Sequence, residues 1–129
     1  MIQHWQEYLK VSYDLILESE GQVRVYLDDQ VEAYLVHLFA KNFERTDIYN
    51  EAIALRMLSV KNRDEYRPIA DECLLIDSWP IKHRRWPSDS YFKDMGSIAY
   101  GLAGLDYMEI NFNQASRVLR QVLNKKIFL

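Results

Sequence analysis

Apolar residues return at three- and four-residue intervals through nearly the whole chain, and that rhythm constrains the fold more than any other feature. It is cleanest near the end, where Ala115, Val118, Leu119, Val122 and Leu123 fall on one face of a helix. Lys125 and Lys126 follow at the helix end, where the dipole favours positive charge, and Asn111 or Asn113 can cap its start. No long stretch alternates β-branched and polar residues, so the rhythm is that of helices and not of a sheet.

The same spacing divides the rest of the chain. Trp5, Tyr8, Leu9, Ser12, Leu15 and Ile16 predict a first helix over residues 2–19, with Gly21 just past its end as a left-handed stop. A hairpin near residues 13–27 competes with this reading, because Val23, Val25 and Leu27 alternate with Arg24 and Tyr26 after Glu20-Gly21. The helical spacing is the better fit, with 23–27 extended. Asp28 and Asp29 are N-cap residues for a second helix, and Glu32 stands three after Asp29 as a capping box requires. Its stripe is Val31, Leu35, Leu38, Phe39 and Phe43. A third helix is expected from about Asp47 to Val60, with Ile48, Ala52, Leu55 and Leu58 or Val60 inward and Asn62 to Asp64 closing it. A fourth starts near Asp64, turns Ile69, Ala70, Cys73, Leu74 and Ile76 inward, and must stop by Trp79, because Pro80 disfavours a helical residue before it. Ser88 or Ser90 caps a fifth, with Tyr91, Met95, Ile98, Ala99 and Leu102 as its stripe. Gly96, Ala99 and Ala103 would let a neighbouring helix come close, and Gly101 and Gly104 weaken the helix there. The expectation is an all-α, single-domain bundle of about five to six helices over residues 1–129.

Composition narrows the class. A chain of 129 residues with 49% hydrophobic and 27% charged residues can bury a full core without covalent staples. The one cysteine, Cys73, excludes an internal disulfide framework and a multi-cysteine zinc site, and fits a reducing compartment. The start, MIQHWQEYLK, lacks the basic-then-apolar pattern of a signal peptide. No apolar run approaches the roughly 18–20 residues of a membrane span. The reading is a soluble cytoplasmic protein. Net charge is -3, but residues 1–65 hold 12 acids and 7 bases while residues 66–129 hold 7 acids and 9 bases. Such a balance argues against a general nucleic-acid binder. It leaves room for head-to-tail self-association, although two solvated faces explain it as simply.

Catalytic patterns are missing. His4, His37 and His83 form no H-x-x-x-H or E-x-x-H pair, so no metal is expected. Glu32 and His37 are five apart and diverge on a helix, and Asp71, Glu72 and Cys73 are adjacent and fan out. Cys73 falls on an inward face, which favours an inert thiol, and a Cys73–His83 pair is not demanded by spacing. "GSIAYGLAG" lacks the lysine of a phosphate loop. The pairs Asp28-Asp29, Asp64-Glu65 and Asp71-Glu72 read as capping or solvated carboxylates.

The stretch WPIKHRRWPSDSYF, Trp79 to Phe92, is the candidate binding site. Lys82, Arg84 and Arg85 could grip phosphate or carboxylate, with Trp86 and its aromatic neighbours as stacking surfaces ahead of a helix N-terminus. The plainer account is a charged joint, in which Pro80 stops one helix and Pro87-Ser88 prepares the next. Taken with Glu32-Ala33-Tyr34-Leu35, Asp71-Glu72, Pro80, Arg84-Arg85, Ser88, Tyr91 and Gly96 to Tyr100, the chain resembles a family of short bacterial all-helical proteins. That resemblance implies a helical bacterial domain, and it carries over no activity and no site residue.

Three functional expectations follow. The first is a helical protein that acts by binding, through self-association as a homodimer or through a protein partner. The second is an anion or nucleotide binder built on Lys82, Arg84, Arg85 and Trp86, taking a phosphorylated small molecule. The third is a small enzyme using Cys73 or a histidine–carboxylate pair. No catalytic residue and no cofactor is assigned.

Overall fold

The computed structural model describes residues 2–46, 48, 52–82 and 90–128. Among these residues every regular element is a helix: α1 (Ile2–Val23), α2 (Asp29–Lys41), α3 (Ile53–Leu58), α4 (Tyr66–Ser78), α5 (Tyr91–Leu102), α6 (Asp106–Ile110) and α7 (Phe112–Phe128), with a 3-10 turn at Arg63–Glu65. The fold is an all-α bundle, as the apolar spacing predicts. Among the described residues no helix is long and apolar enough to cross a membrane.

The middle of the bundle is α4. Ile69, Ala70, Cys73, Leu74, Leu75 and Ile76 are buried, and burial continues through Asp77, Ser78 and Trp79. It packs against α5, α7 and α3, while α1 lies along α2 and α7. Asp77 is tolerated at 5% exposure because its Oδ2 accepts from Ser116 Oγ of α7 at 2.6 Å. The predicted α7 stripe, Ala115, Val118, Leu119, Val122 and Leu123, is wholly buried.

Four local expectations are corrected. The hairpin reading of 13–27 fails, because α1 runs unbroken to Val23. Gly21 is helical, and the left-handed residue is Arg24, at φ 56°. The buried Glu20 explains the shift: its carbonyl accepts from Val25 N at 3.1 Å and its Oε1 from Leu27 N at 3.0 Å, which ties off the chain beyond Arg24. The Asp29–Glu32 capping box does not form. Asp28 is the N-cap and makes no side-chain bond, and Glu32 Oε1 is buried without a partner. Burial, with Glu20 and Asp29 nearby, pushes the Glu32 carboxyl above its usual range. A box of that kind closes elsewhere, where Glu65 Oε2 accepts from Lys61 N and Asn62 N, both at 2.7 Å.

The third and fourth corrections concern the phase of a helix. Only Ile53–Leu58 of the expected 47–60 helix is described as one, and its inward side is Ile53, Met57 and Val60. Leu55 is 64% and Leu58 83% exposed, and Ala52 is exposed too. Ile48 and Ile53 are both buried but five apart, a spacing that one helix face cannot hold. Residue 47 and residues 49–51 lie outside the described residues. In α5 the buried residues are Phe92, Gly96, Ala99 and Tyr100, while Ile98 and Leu102 of the expected stripe are about half exposed. The cause is Gly96. A Cβ there would sit 2.5 Å from Phe112 Cε2 and 2.8 Å from Cys73 Cβ, so the bare backbone of Gly96 is what faces α4 and α7. The weak point after Leu102 is real: Gly104 takes φ 82° and starts the turn into α6.

Candidate functional site

Lys82 is the one member of the predicted Lys82–Arg85–Trp86 set inside the described residues; Arg84, Arg85 and Trp86, with His83, lie outside them. Its ammonium donates to Ile76 O at 3.0 Å and to Asp77 O at 2.7 Å, and Arg120 Nη2 donates to the same Asp77 carbonyl at 2.7 Å. These carbonyls belong to the last turn of α4, where Ile76 O also accepts from Trp79 N at 3.2 Å, so Lys82 and Arg120 help to close that helix end. Trp79 is tucked in at 2% exposure. Cys73 has no exposed surface, and burial pushes its thiol up to about 12, so it presents no thiolate to a substrate.

A different set of residues converges between α2 and α4. On α2, His37 and Leu38 stand three and four after Tyr34, and Lys41 stands four and three after them, so the four share a face. On α4, Arg67 and Asp71 are four apart and stand opposite. Trp5 of α1 closes one side, and together these residues line a partly open cleft of about 420 Å³. That volume is within the range of small-molecule sites.

At its floor is a fixed carboxylate. Asp71 Oδ1 accepts from Tyr34 Oη at 2.6 Å and from Tyr100 Oη of α5 at 2.7 Å. Arg67 Nε donates to Tyr34 Oη at 3.1 Å, and its guanidinium lies 4.9 Å from the centre of that ring. Tyr100 and Tyr107 meet the Tyr34 ring edge-on, at 5.7 and 6.2 Å. The second Asp71 oxygen, Oδ2, has no donor among the described residues. Burial raises the Asp71 carboxyl above its ordinary value; the two tyrosine hydroxyls, Arg67 and Lys41 pull the other way without cancelling it. Burial and the adjoining Asp71 charge push both tyrosines well above 10, so they remain donors at any ordinary pH.

The other walls supply positive charge and a ring. Lys41 and Arg67 are fixed cations. His37 Nδ1 lies 2.8 Å from Ala33 O, which assigns that nitrogen the proton and leaves Nε2 for a ligand. The Trp5 indole, 39% exposed, leans on His37 with centroids 6.4 Å apart. Among the described residues no three His, Cys, Asp or Glu side chains gather as a metal site would.

Asp71 and Glu72 are not the capping or solvated carboxylates that the sequence leads one to expect. Instead Asp71 anchors the tyrosines, and Glu72 takes Arg45 in a two-pronged pair at 2.7 and 3.2 Å. The available signal was the i, i+4 pair Arg67/Asp71 at the edge of an apolar stripe, together with the aromatic Tyr34 at the edge of another. No family model, curated protein or solved structure matches the chain, so each residue role here rests on geometry.

Proposed function

We propose that the protein is a binding protein whose cleft between α2 and α4 receives a small polar ligand. One observation carries this reading: a carboxylate held rigid through Oδ1 by two tyrosines, with Oδ2 unengaged, in a cleft that also contains Lys41, Arg67 and Trp5. Such a site accepts a hydrogen bond from an N–H at Asp71, sets a negative group against Lys41 or Arg67, and covers an apolar or aromatic part with Trp5 and Leu38. The carboxylate is oriented before the ligand arrives, so little ordering cost remains on binding. The test is a thermal-shift panel of amino acids, nucleosides, nucleoside phosphates, sugar phosphates and dicarboxylates. A ligand at about a hundredfold its Kd adds ~2.7 kcal/mol, a shift of several degrees for a chain of this size. Asp71→Asn should erase the shift. If no compound stabilises the wild type, or if Asp71→Asn responds equally, the cleft is not the binding site.

A second reading, self-association, is favoured by the α5 side that faces water. Ile98 and Leu102 lie on it at 50% and 46% exposure, and Ile110 of α6 is 74% exposed. The occupant it fits is a second copy, because a two-fold axis sets this same apolar side of each molecule against itself, and the second half that carries it is nearly balanced in charge, with 7 acids and 9 bases. Light scattering should then show a dimer that Ile98→Glu converts to monomer. A strict monomer at high concentration rejects it.

A further inference from the structure

The floor of the cleft sets a cation and an anion side by side. Tyr34 Oη gives its proton to Asp71 Oδ1 at 2.6 Å and accepts one from Arg67 Nε at 3.1 Å. Guanidinium and carboxylate are therefore no further apart than those two bonds laid end to end, and the phenol oxygen stands between them. Among the described residues the two form no direct ion pair. Each keeps an unused edge: Arg67 Nη1 and Nη2 have no acceptor among the described residues, and Asp71 Oδ2 has no donor among them. Both side chains line the cleft. Two opposite charges held one hydroxyl apart are the complement of a ligand whose own two charges are as close. The rest of the lining is mostly rings and hydrocarbon, with the Trp5 indole, the Tyr34 and His37 rings and Leu38, and Lys41 is an exposed residue of the same wall.

We infer, on the strength of the cleft reading above, that the ligand is a free α-amino acid with an apolar or aromatic side chain. Its ammonium donates to Asp71 Oδ2, and its carboxylate accepts from the Arg67 Nη groups, whose fork suits a carboxylate. One carbon bears both groups of an α-amino acid, so both meet their partners at once across the Tyr34 hydroxyl. The side chain lies against Trp5 and Leu38. Selectivity follows from the pairing. A ligand with its amine acylated or its carboxylate amidated leaves Asp71 or Arg67 facing a neutral group, which disfavours peptides and amides against the free amino acid.

Isothermal titration at neutral pH with L-phenylalanine, L-phenylalaninamide, N-acetyl-L-phenylalanine, L-alanine and L-glutamate tests this. Phenylalanine should bind about tenfold more tightly than either blocked derivative, the worth of one hydrogen bond between charged groups. It should also bind more tightly than alanine, by the contact with Trp5. Arg67→Gln, at an exposed position, should bring phenylalanine down to the level of its amide. Asp71→Asn should bring it down to the level of the N-acetyl compound, and if that variant does not fold, Arg67→Gln decides. Trp5→Ala should cancel the advantage over alanine. Equal affinity for phenylalanine and both blocked derivatives overturns the paired-charge inference and leaves the cleft reading standing. Glutamate bound more tightly than phenylalanine overturns the apolar side chain. Stabilisation by nucleosides, sugar phosphates or dicarboxylates in the thermal-shift panel, with no binding of any amino acid, overturns the ligand class and again leaves the cleft. No binding by any compound overturns both readings.

Discussion

Asp71 is the residue on which the site turns, and its protonation gives a sign that can be checked. Its carboxyl is raised above the ordinary 3.8, with burial as the main cause. The folded chain therefore holds that proton more tightly than the unfolded chain does. The corresponding stability is fully present below the ordinary value and is lost as pH rises through the folded one. Wild type should lose stability relative to Asp71→Asn across the carboxylate range from about pH 4 upward. Urea midpoints at a series of pH values check this; a difference that grows in favour of wild type with rising pH would show that the tyrosine and arginine contacts outweigh burial. Gly96 gives a test of packing instead of charge. Gly96→Ala sets a methyl group 2.5 Å from a Phe112 ring that is 1% exposed and has nowhere to turn. The expected cost is about 1–3 kcal/mol, partly recovered by Phe112→Leu, which trims the ring. A neutral Gly96→Ala would mean that α5 can move away from α4 freely.

At the scale of elements, what the sequence discloses depends on how each helix is buried. The buried face of α7 and the end of α4 at Trp79-Pro80 are legible, because each rests on local spacing and on the steric limits of proline. The facing of α3 and α5 is not. Periodicity finds the most hydrophobic side of a helix, whereas α5 packs on the side that can come closest, through Gly96, and so leaves Ile98 and Leu102 in water. The site was hidden for a related reason. Asp71 looks solvated in one dimension, and only the approach of α2 and α5 brings Tyr34 and Tyr100 onto it. The basic joint drew attention for its charge, yet Lys82 points back to the carbonyls of its own helix end. Lys82→Met should therefore cost roughly 0.5–1.5 kcal/mol, the net worth of such bonds at a helix C-terminus. Equilibrium denaturation measures it, and an unchanged midpoint would release Lys82 from that capping role.

Across the whole molecule, stability should be graded outward from α4. Every residue from Cys73 to Trp79 is buried, and helices α3, α5 and α7 all pack against this element. Its amides cannot meet solvent unless those neighbours separate, so their exchange should report the global unfolding free energy, on the order of 5–15 kcal/mol. The other extreme is α3. It has six residues, of which only Ile53 is buried, and it turns Leu55 and Leu58 to water. A helix that short does not persist on its own, and a single buried anchor gives it little cooperative support. Native-state hydrogen exchange should therefore show α3 amides exchanging orders of magnitude faster than those of α4, with α2 and α5 between them. A saturating ligand in the α2–α4 cleft should slow exchange in α2 and around Asp71, because the bonds it adds join α2 to α4. Protection in α3 equal to that in α4 would contradict the gradient, and would mean that Leu55 and Leu58 are covered in solution.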